Sequence, residues 1–186
     1  MGDVVFQELE IRGSYTATWP VNPDNRGSLT KIYAEEAFSQ LSPGSRTREI
    51  FYTSSSQGVL RGMHLQHASF DQWKIVTVLS GMVLDVLLDL RPTSDSFGRS
   101  LALTLQEGSG LSVVVPPGVA HGYFVESSSA TTLYAVSSEY EASKEIGVRF
   151  DSFGFDWPDS KPTLSARDEL LPTLSAYARE NRRPQN

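Results

Sequence analysis

The chain has 186 residues, no cysteine, 39% apolar residues and a formal charge of −6. That length fits one domain whose folding buries roughly 70% of its unfolded surface. The composition excludes a disordered chain, a disulfide framework, a thiolate metal site and a cysteine nucleophile, and the acidity argues against nucleic-acid or anionic-membrane binding. Arginine outnumbers lysine, a bias suited to one local pocket that grips carboxylate or phosphate bidentately. Acids stand early at the N-terminus, and the most apolar stretch, Val76 to Leu90, is broken by Gly81, Asp85 and Asp89. Neither a signal core nor a membrane span is expected, and the chain reads as cytoplasmic.

In chain order, Glu8 to Tyr33 alternates like strands and contains the turn-rich stretch Asn22-Pro23-Asp24-Asn25-Arg26-Gly27. A short helix is predicted over 34–41, ended by Ser42-Pro43-Gly44. Eight β-like runs follow: Glu49–Thr53, Val59–Gln66, Trp73–Leu79, Val83–Leu90, Ser100–Leu105, Leu111–Val115, His121–Val125 and Ala130–Ser137. They are rich in Val, Leu, Tyr, Phe and Thr, with turn residues between them and nothing helical intervening. An antiparallel sandwich or barrel is therefore predicted, in a single domain spanning 1–186. Ser165 is positioned to cap a C-terminal helical segment within 165–186, and the polar tail from Arg179 is expected to fray.

Period-2 alternation sorts the polar residues by face. Leu60, Gly62, His64 and Gln66 share one face of their run, and Arg61, Met63 and Leu65 the other. Lys74 aligns with Val76 and Val78, His121 with Tyr123 and Val125, and Tyr134 with Thr132 and Val136. A lysine among valines is costly unless paired, so several titratable groups facing one interior suggest a functional barrel rather than a solvated sheet. Asp85 or Asp89 could hold Lys74 charged, or could be solvated acids at strand ends.

The segment Val59-Leu60-Arg61-Gly62-Met63-His64-Leu65-Gln66 resembles the dTDP-4-dehydrorhamnose 3,5-epimerase family, cupin-type jelly-roll enzymes. The likeness continues in order through Gln72-Trp73-Lys74, Asp85-Val86, Asp89-Leu90-Arg91, Ser96-Phe97-Gly98 and Val115-Pro116-Pro117-Gly118-Val119-Ala120-His121-Gly122-Tyr123. It ends with Tyr134, Tyr140, Glu145, Asp156-Trp157-Pro158 and Leu164-Ser165-Ala166-Arg167-Asp168, after an early Asn25-Arg26-Gly27. The resemblance implies an all-β cupin-type jelly roll that inverts C3, C5 or both in a nucleotide-linked 4-keto-6-deoxyhexose through an enolate.

By that resemblance His64 is the base, Asp168 its orienting partner, and Lys74 and Tyr134 the other catalytic groups. His121 lines the pocket, Arg26 and Arg61 hold the diphosphate, and Glu49, Gln66, Gln72, Tyr140 and Glu145 contact or support the substrate. The resemblance also implies a homodimer that exchanges its N-terminal strands, residues 1–33, carrying Arg26 to the neighbour's pocket. No cofactor is expected, since proton removal beside a ketone needs none. His64-Leu65-Gln66 lacks the second histidine of a metal cupin, so no metal is expected either. The competing readings are a metal-dependent cupin enzyme and a non-catalytic cupin that binds nucleotide sugars. One departure stands out: Arg48-Glu49-Ile50-Phe51-Tyr52-Thr53-Ser54 replaces the family's usual Gln-Asp-Asn segment.

Overall fold

A computed structural model of the chain describes residues 2–42, 46–67 and 72–181. Among these residues thirteen strands form two main sheets and a separate hairpin. The first sheet contains β1 (Val5–Glu8), β2 (Tyr15–Thr18), β5 (Glu49–Ser56), β7 (Lys74–Ser80), β10 (Leu111–Val115) and β12 (Ser129–Val136), in the order β1-β2-β10-β7-β12-β5. The second contains β6 (Leu60–Gln66), β8 (Met82–Asp89), β9 (Ser100–Gln106), β11 (Val119–Val125) and β13 (Glu145–Gly147), in the order β13-β6-β11-β8-β9. The pairings within both are antiparallel. All eight expected runs are strands, with ends shifted by a residue or a few, and the jelly roll is as expected.

Alternation explains where the core lies. Val76 and Val78 of β7, Val83 and Leu87 of β8, Tyr123 and Val125 of β11 and Tyr134 and Val136 of β12 all enter one buried cluster between the sheets. The opposite residues of β6 and β8, Met63, Leu65, Val86 and Leu88, form a second cluster on the outer face. The C-terminal segment covers it with Phe153, Phe155, Trp157 and Tyr177. Burial of such large aromatic and aliphatic surfaces fixes that segment against the sheet.

The predicted early helix is α1 (Glu35–Ser39), whose Phe38 packs against Phe6, Trp19 and Tyr33. Its expected stop at Pro43-Gly44 lies outside the described residues. Toward the C-terminus the structure has two helices, α2 (Ala166–Glu169) and α3 (Leu174–Asn181). Pro172 lies between them, and its ring cannot continue a helical hydrogen-bond ladder. Ser165 caps α2 as expected, its Oγ accepting the Asp168 N–H at 3.1 Å. The tail beyond 181 lies outside the described residues.

The N-terminal strands and the bulge beside Arg61 both bear on the site. Within residues 1–33, β1 and β2 pair in their own chain, β2 lying beside β10. Only β3 (Val21–Asp24) and β4 (Gly27–Thr30), a hairpin paired with itself, stand apart from both main sheets. One expectation needs correction, the placing of Arg61 on the face opposite His64. On β11 a single residue, Gly122, separates the partners of His64 and Arg61, whereas Gly62 and Met63 separate them on β6. That extra residue is a bulge, and it turns Arg61 onto the face of His64. Gly62 suits the place: it has φ of +135°, and a Cβ there would stand 2.5 Å from the Gly122 Cα.

Candidate active site

A cavity of about 410 Å³ opens between the two sheets. Sheet two supplies Arg61, His64 and Gln66 from β6, His121 from β11 and Glu145 from β13. Sheet one supplies Lys74 from β7, Tyr134 from β12 and Glu49, Phe51 and Thr53 from β5, while Gln72, Tyr140, Ser165, Arg167 and Asp168 complete the lining. Every site residue expected from the sequence reaches this cavity except Arg26. Arg26 sits on the β3–β4 turn, 84% exposed, and is paired with Asp24 at 2.5 Å.

His64 lies between two carboxylates. Its Nε2 lies 2.6 Å from Asp168 Oδ1, and its Nδ1 lies 3.5 Å from Glu145 Oε1. Asp168 is buried at the start of α2, where its own backbone N–H is fixed by the Ser165 cap. The pairing leaves Nδ1 as the ring nitrogen not engaged by Asp168. His121 repeats the arrangement deeper inside, with Nε2 2.7 Å from Asp85 Oδ2, both residues buried. The other Asp85 oxygen has no hydrogen-bond partner among the described residues.

The Asp85–His121 pair answers the question left open for Lys74. Asp85 is committed to His121, and Asp89 accepts from Arg91, Ser94 and Ser96 at the end of β8. Neither acid pairs with Lys74. Its Nζ instead donates to the His64 backbone carbonyl at 3.3 Å. Burial pushes the Lys74 ammonium down to about 8, against the opposing pull of the Glu145 charge. Such an ammonium sheds or shares its proton far more readily than an exposed lysine.

Tyr134 faces the opposite wall. Burial raises its phenol well above the ordinary value, helped by Tyr123 and by the Asp85 charge, so it stays protonated. Phe51 stacks on it at 4.9 Å, directly across the β5–β12 pairing. Phe51 and Thr53 were not singled out from the sequence. They alternate with Glu49 on β5, and period 2 would have found both.

The mouth is a polar network. The Tyr140 N–H donates to Glu49 at 2.8 Å, and its hydroxyl donates to Glu145 at 2.6 Å. Arg167, also not singled out, donates to the Tyr140 hydroxyl at 3.0 Å and pairs with Glu145. Its position immediately before Asp168 on α2 was the available signal. Gln72 is anchored by donating to the Ser138 carbonyl at 2.9 Å. Gln66 is buried with its side-chain oxygen unpartnered among the described residues. Among those residues no group of three or more histidine and carboxylate side chains is arranged to hold a metal ion, and no helix is long and apolar enough to cross a membrane.

Residues 8–176 match a family described as dTDP-4-dehydrorhamnose 3,5-epimerase. A Mycobacterium tuberculosis protein named dTDP-4-dehydrorhamnose 3,5-epimerase is 32% identical over 174 residues, covering 90% of this chain and 86% of its own. Among solved structures, NovW, a 4-keto-6-deoxy sugar epimerase from the novobiocin gene cluster of Streptomyces spheroides, superposes with a TM-score of 0.91 at 29% identity. That match covers 98% of this chain and 94% of NovW. ChmJ, a 3′-monoepimerase from Streptomyces bikiniensis in complex with dTDP-quinovose, gives 0.89 at 29% identity, covering 95% and 91%.

Proposed function

The chain belongs to the dTDP-4-dehydrorhamnose 3,5-epimerase family, and on that footing we propose that it inverts C3, C5 or both in a dTDP-linked 4-keto-6-deoxyhexose. The observation that carries this reading is the placement of His64 and Tyr134 on opposite walls of one cavity. Inversion at carbon needs a proton taken from one face of the sugar ring and another delivered to the opposite face. A base and a neutral acid facing each other across the cavity meet that need.

In this mechanism Nδ1 of His64 removes the proton beside the C4 ketone. Asp168 accepts from Nε2, fixes the ring orientation and stabilises the imidazolium. Electrons move onto the C4 oxygen, where the Lys74 ammonium offsets the developing charge, a contribution of about 3–4 kcal/mol for one such donor. Tyr134 then delivers its phenolic proton to the far face. The proton count closes when the His64 proton returns, through solvent, to the Tyr134 phenolate.

Arg61 serves the diphosphate, and His121, Gln66, Gln72, Glu49, Tyr140 and Glu145 shape the remaining contacts. Arg26 would reach a diphosphate only in a neighbouring subunit's cavity. We therefore propose a homodimer in which the β3–β4 hairpin crosses to the partner. The cysteine-free composition supports a cytoplasmic setting. The test is NMR in deuterated solvent with dTDP-4-keto-6-deoxyglucose: label is expected at C3, C5 or both, and label at neither position overturns the reading.

A further inference from the structure

Tyr123 is completely buried, yet it carries a hydroxyl where a phenylalanine ring would fill the same space. That hydroxyl lies 2.8 Å from Thr53 Oγ1 and 3.2 Å from Ser55 Oγ. Ser55 in turn accepts from Arg61 Nε at 2.9 Å. Three hydroxyls on β5 and β11 thus run from the guanidinium of Arg61 toward Tyr134, whose phenol has Thr53 and Tyr123 as its hydroxyl neighbours.

The first bond of this chain has a fixed direction, and the hydroxyls beyond it are free to follow it. A guanidinium only donates, so Ser55 must accept from Arg61, and its own hydrogen is then free for Tyr123. A Tyr123 that accepts from Ser55 can donate to Thr53, which leaves the Thr53 hydrogen free for Tyr134. In that arrangement each hydroxyl points its positive end toward the Tyr134 oxygen. Hydrogen bonds arranged head to tail polarise one another, and a cation at the head strengthens the series.

We infer that Tyr123, with Ser55 and Thr53, is a positioning residue that relays the charge of Arg61 to Tyr134 and steadies the phenolate left after proton delivery. Before transfer, the chain directs hydrogen toward the Tyr134 oxygen and leaves the phenol's own proton to point into the cavity. After transfer, the same chain is already oriented to donate to the oxygen that has become negative. No hydroxyl has to turn at that moment, which is the condition for effective electrostatic stabilisation. No proton leaves the chain; the phenolate is neutralised later by the proton that His64 removed. Arg61 thereby has two tasks, one toward the substrate and one toward the acid on the opposite wall.

This inference rests on the epimerase reading, and the experiment separates the two. Tyr123→Phe and Thr53→Val are compared with the parent for solvent-deuterium entry and for inverted product from the dTDP-4-keto sugar. Loss of a hydrogen bond to a charged group is expected to slow inversion about tenfold to a hundredfold, with deuterium entry at the first carbon staying within about twofold of the parent. Inversion within twofold of the parent, or both rates falling by one common factor, overturns the inference. A second readout needs no turnover: the ¹³Cζ resonance of Tyr134, assigned with Tyr134→Phe. It is expected to move in Thr53→Val and Ser55→Ala while those of Tyr15 and Tyr33 stay in place, and an unmoved resonance overturns the chain. A parent with neither exchange nor inversion overturns the epimerase reading alone, and the resonance then decides the chain.

Discussion

Asp168 Oδ1 lies 2.6 Å from His64 Nε2 although 104 residues separate the two in sequence. The contact is made possible by the outer-face cluster, where Phe153, Phe155, Trp157 and Tyr177 pin the C-terminal segment to the back of β6 and β8. The chain then turns into α2 at the Ser165 cap, and the first turn of that helix presents the carboxylate at the cavity. Apolar packing on one side of a sheet thus sets a proton-transfer geometry on the other.

Asp168→Asn is expected to leave the fold and melting temperature close to the parent while turnover falls on the order of a thousandfold. An amide cannot stabilise the imidazolium, and it favours the wrong tautomer. His64→Ala should lose at least as much. Deuterium entry at C3 and C5, read beside circular dichroism, checks both variants, and near-normal exchange in either would place the base elsewhere.

Lys74 predicts a pH dependence of activity and a separate one of stability. With its ammonium pushed down to about 8, an activity that needs the cation should decline as pH rises through 8. The stability effect has the opposite sense. Between 8 and the ordinary 10.5 the unfolded chain holds a proton that the folded chain has shed, so this group's contribution to stability rises with pH across that window. Lys74→Met should lower kcat strongly and remove that rise, which urea titrations at pH 7.5 and 9.5 would measure.

Tyr134→Phe should separate the two half-reactions. The base remains, so the first proton still exchanges with solvent, while product formation falls about 10²-fold or more for want of the acid. Equal retention of both rates would remove Tyr134 from the acid role.

Much of this was legible before any coordinates, and the failures have physical reasons. The eight central strands announce themselves through β-branched and aromatic runs bounded by turn residues, and Lys74 among valines already points inward. Arg61 was misassigned by alternation because a bulge of one residue at Gly62-Met63 reverses the face, and no periodicity rule sees a bulge. The three-residue strand β13 is too short to carry a pattern, yet it places Glu145 beside His64. The Asp85–His121 pair is a contact between neighbouring strands that spacing leaves undetermined. Asp168 itself reads from spacing as a first-turn helix acid, and only the ordered family likeness assigned it to His64.

Asp89 should govern acid stability. Burial opposes its charge, but hydrogen bonds from Arg91, Ser94 and Ser96 outweigh that and hold the carboxyl down to about 2. Its stabilising contribution is therefore complete above the ordinary value of 3.8 and is lost as pH falls toward 2. Asp89→Asn is expected to cost about 3 kcal/mol at neutral pH, since Arg91 loses its partner. It should also flatten the acid limb of stability against pH, as urea unfolding from pH 7 down to 3 would show.

The last expectation concerns Arg26, which lies outside the cavity of its own chain. Its hairpin pairs only with itself, leaves both main sheets, and carries an exposed guanidinium whose partner is the neighbouring Asp24. A surface pair of that kind contributes little stability, so local packing gives scant reason for an arginine there. A diphosphate in a partner's cavity would bind the same guanidinium bidentately and replace the Asp24 contact. Arg26→Ala should accordingly raise KM well before it touches melting temperature. Mixing His64→Ala with Arg26→Ala protein then tests where the residue acts. If it serves the neighbour, each heterodimer holds one cavity with both residues intact and one with neither, and activity returns on subunit exchange. Failure to recover after exchange has been demonstrated, or a monomer by light scattering, would confine Arg26 to its own surface turn.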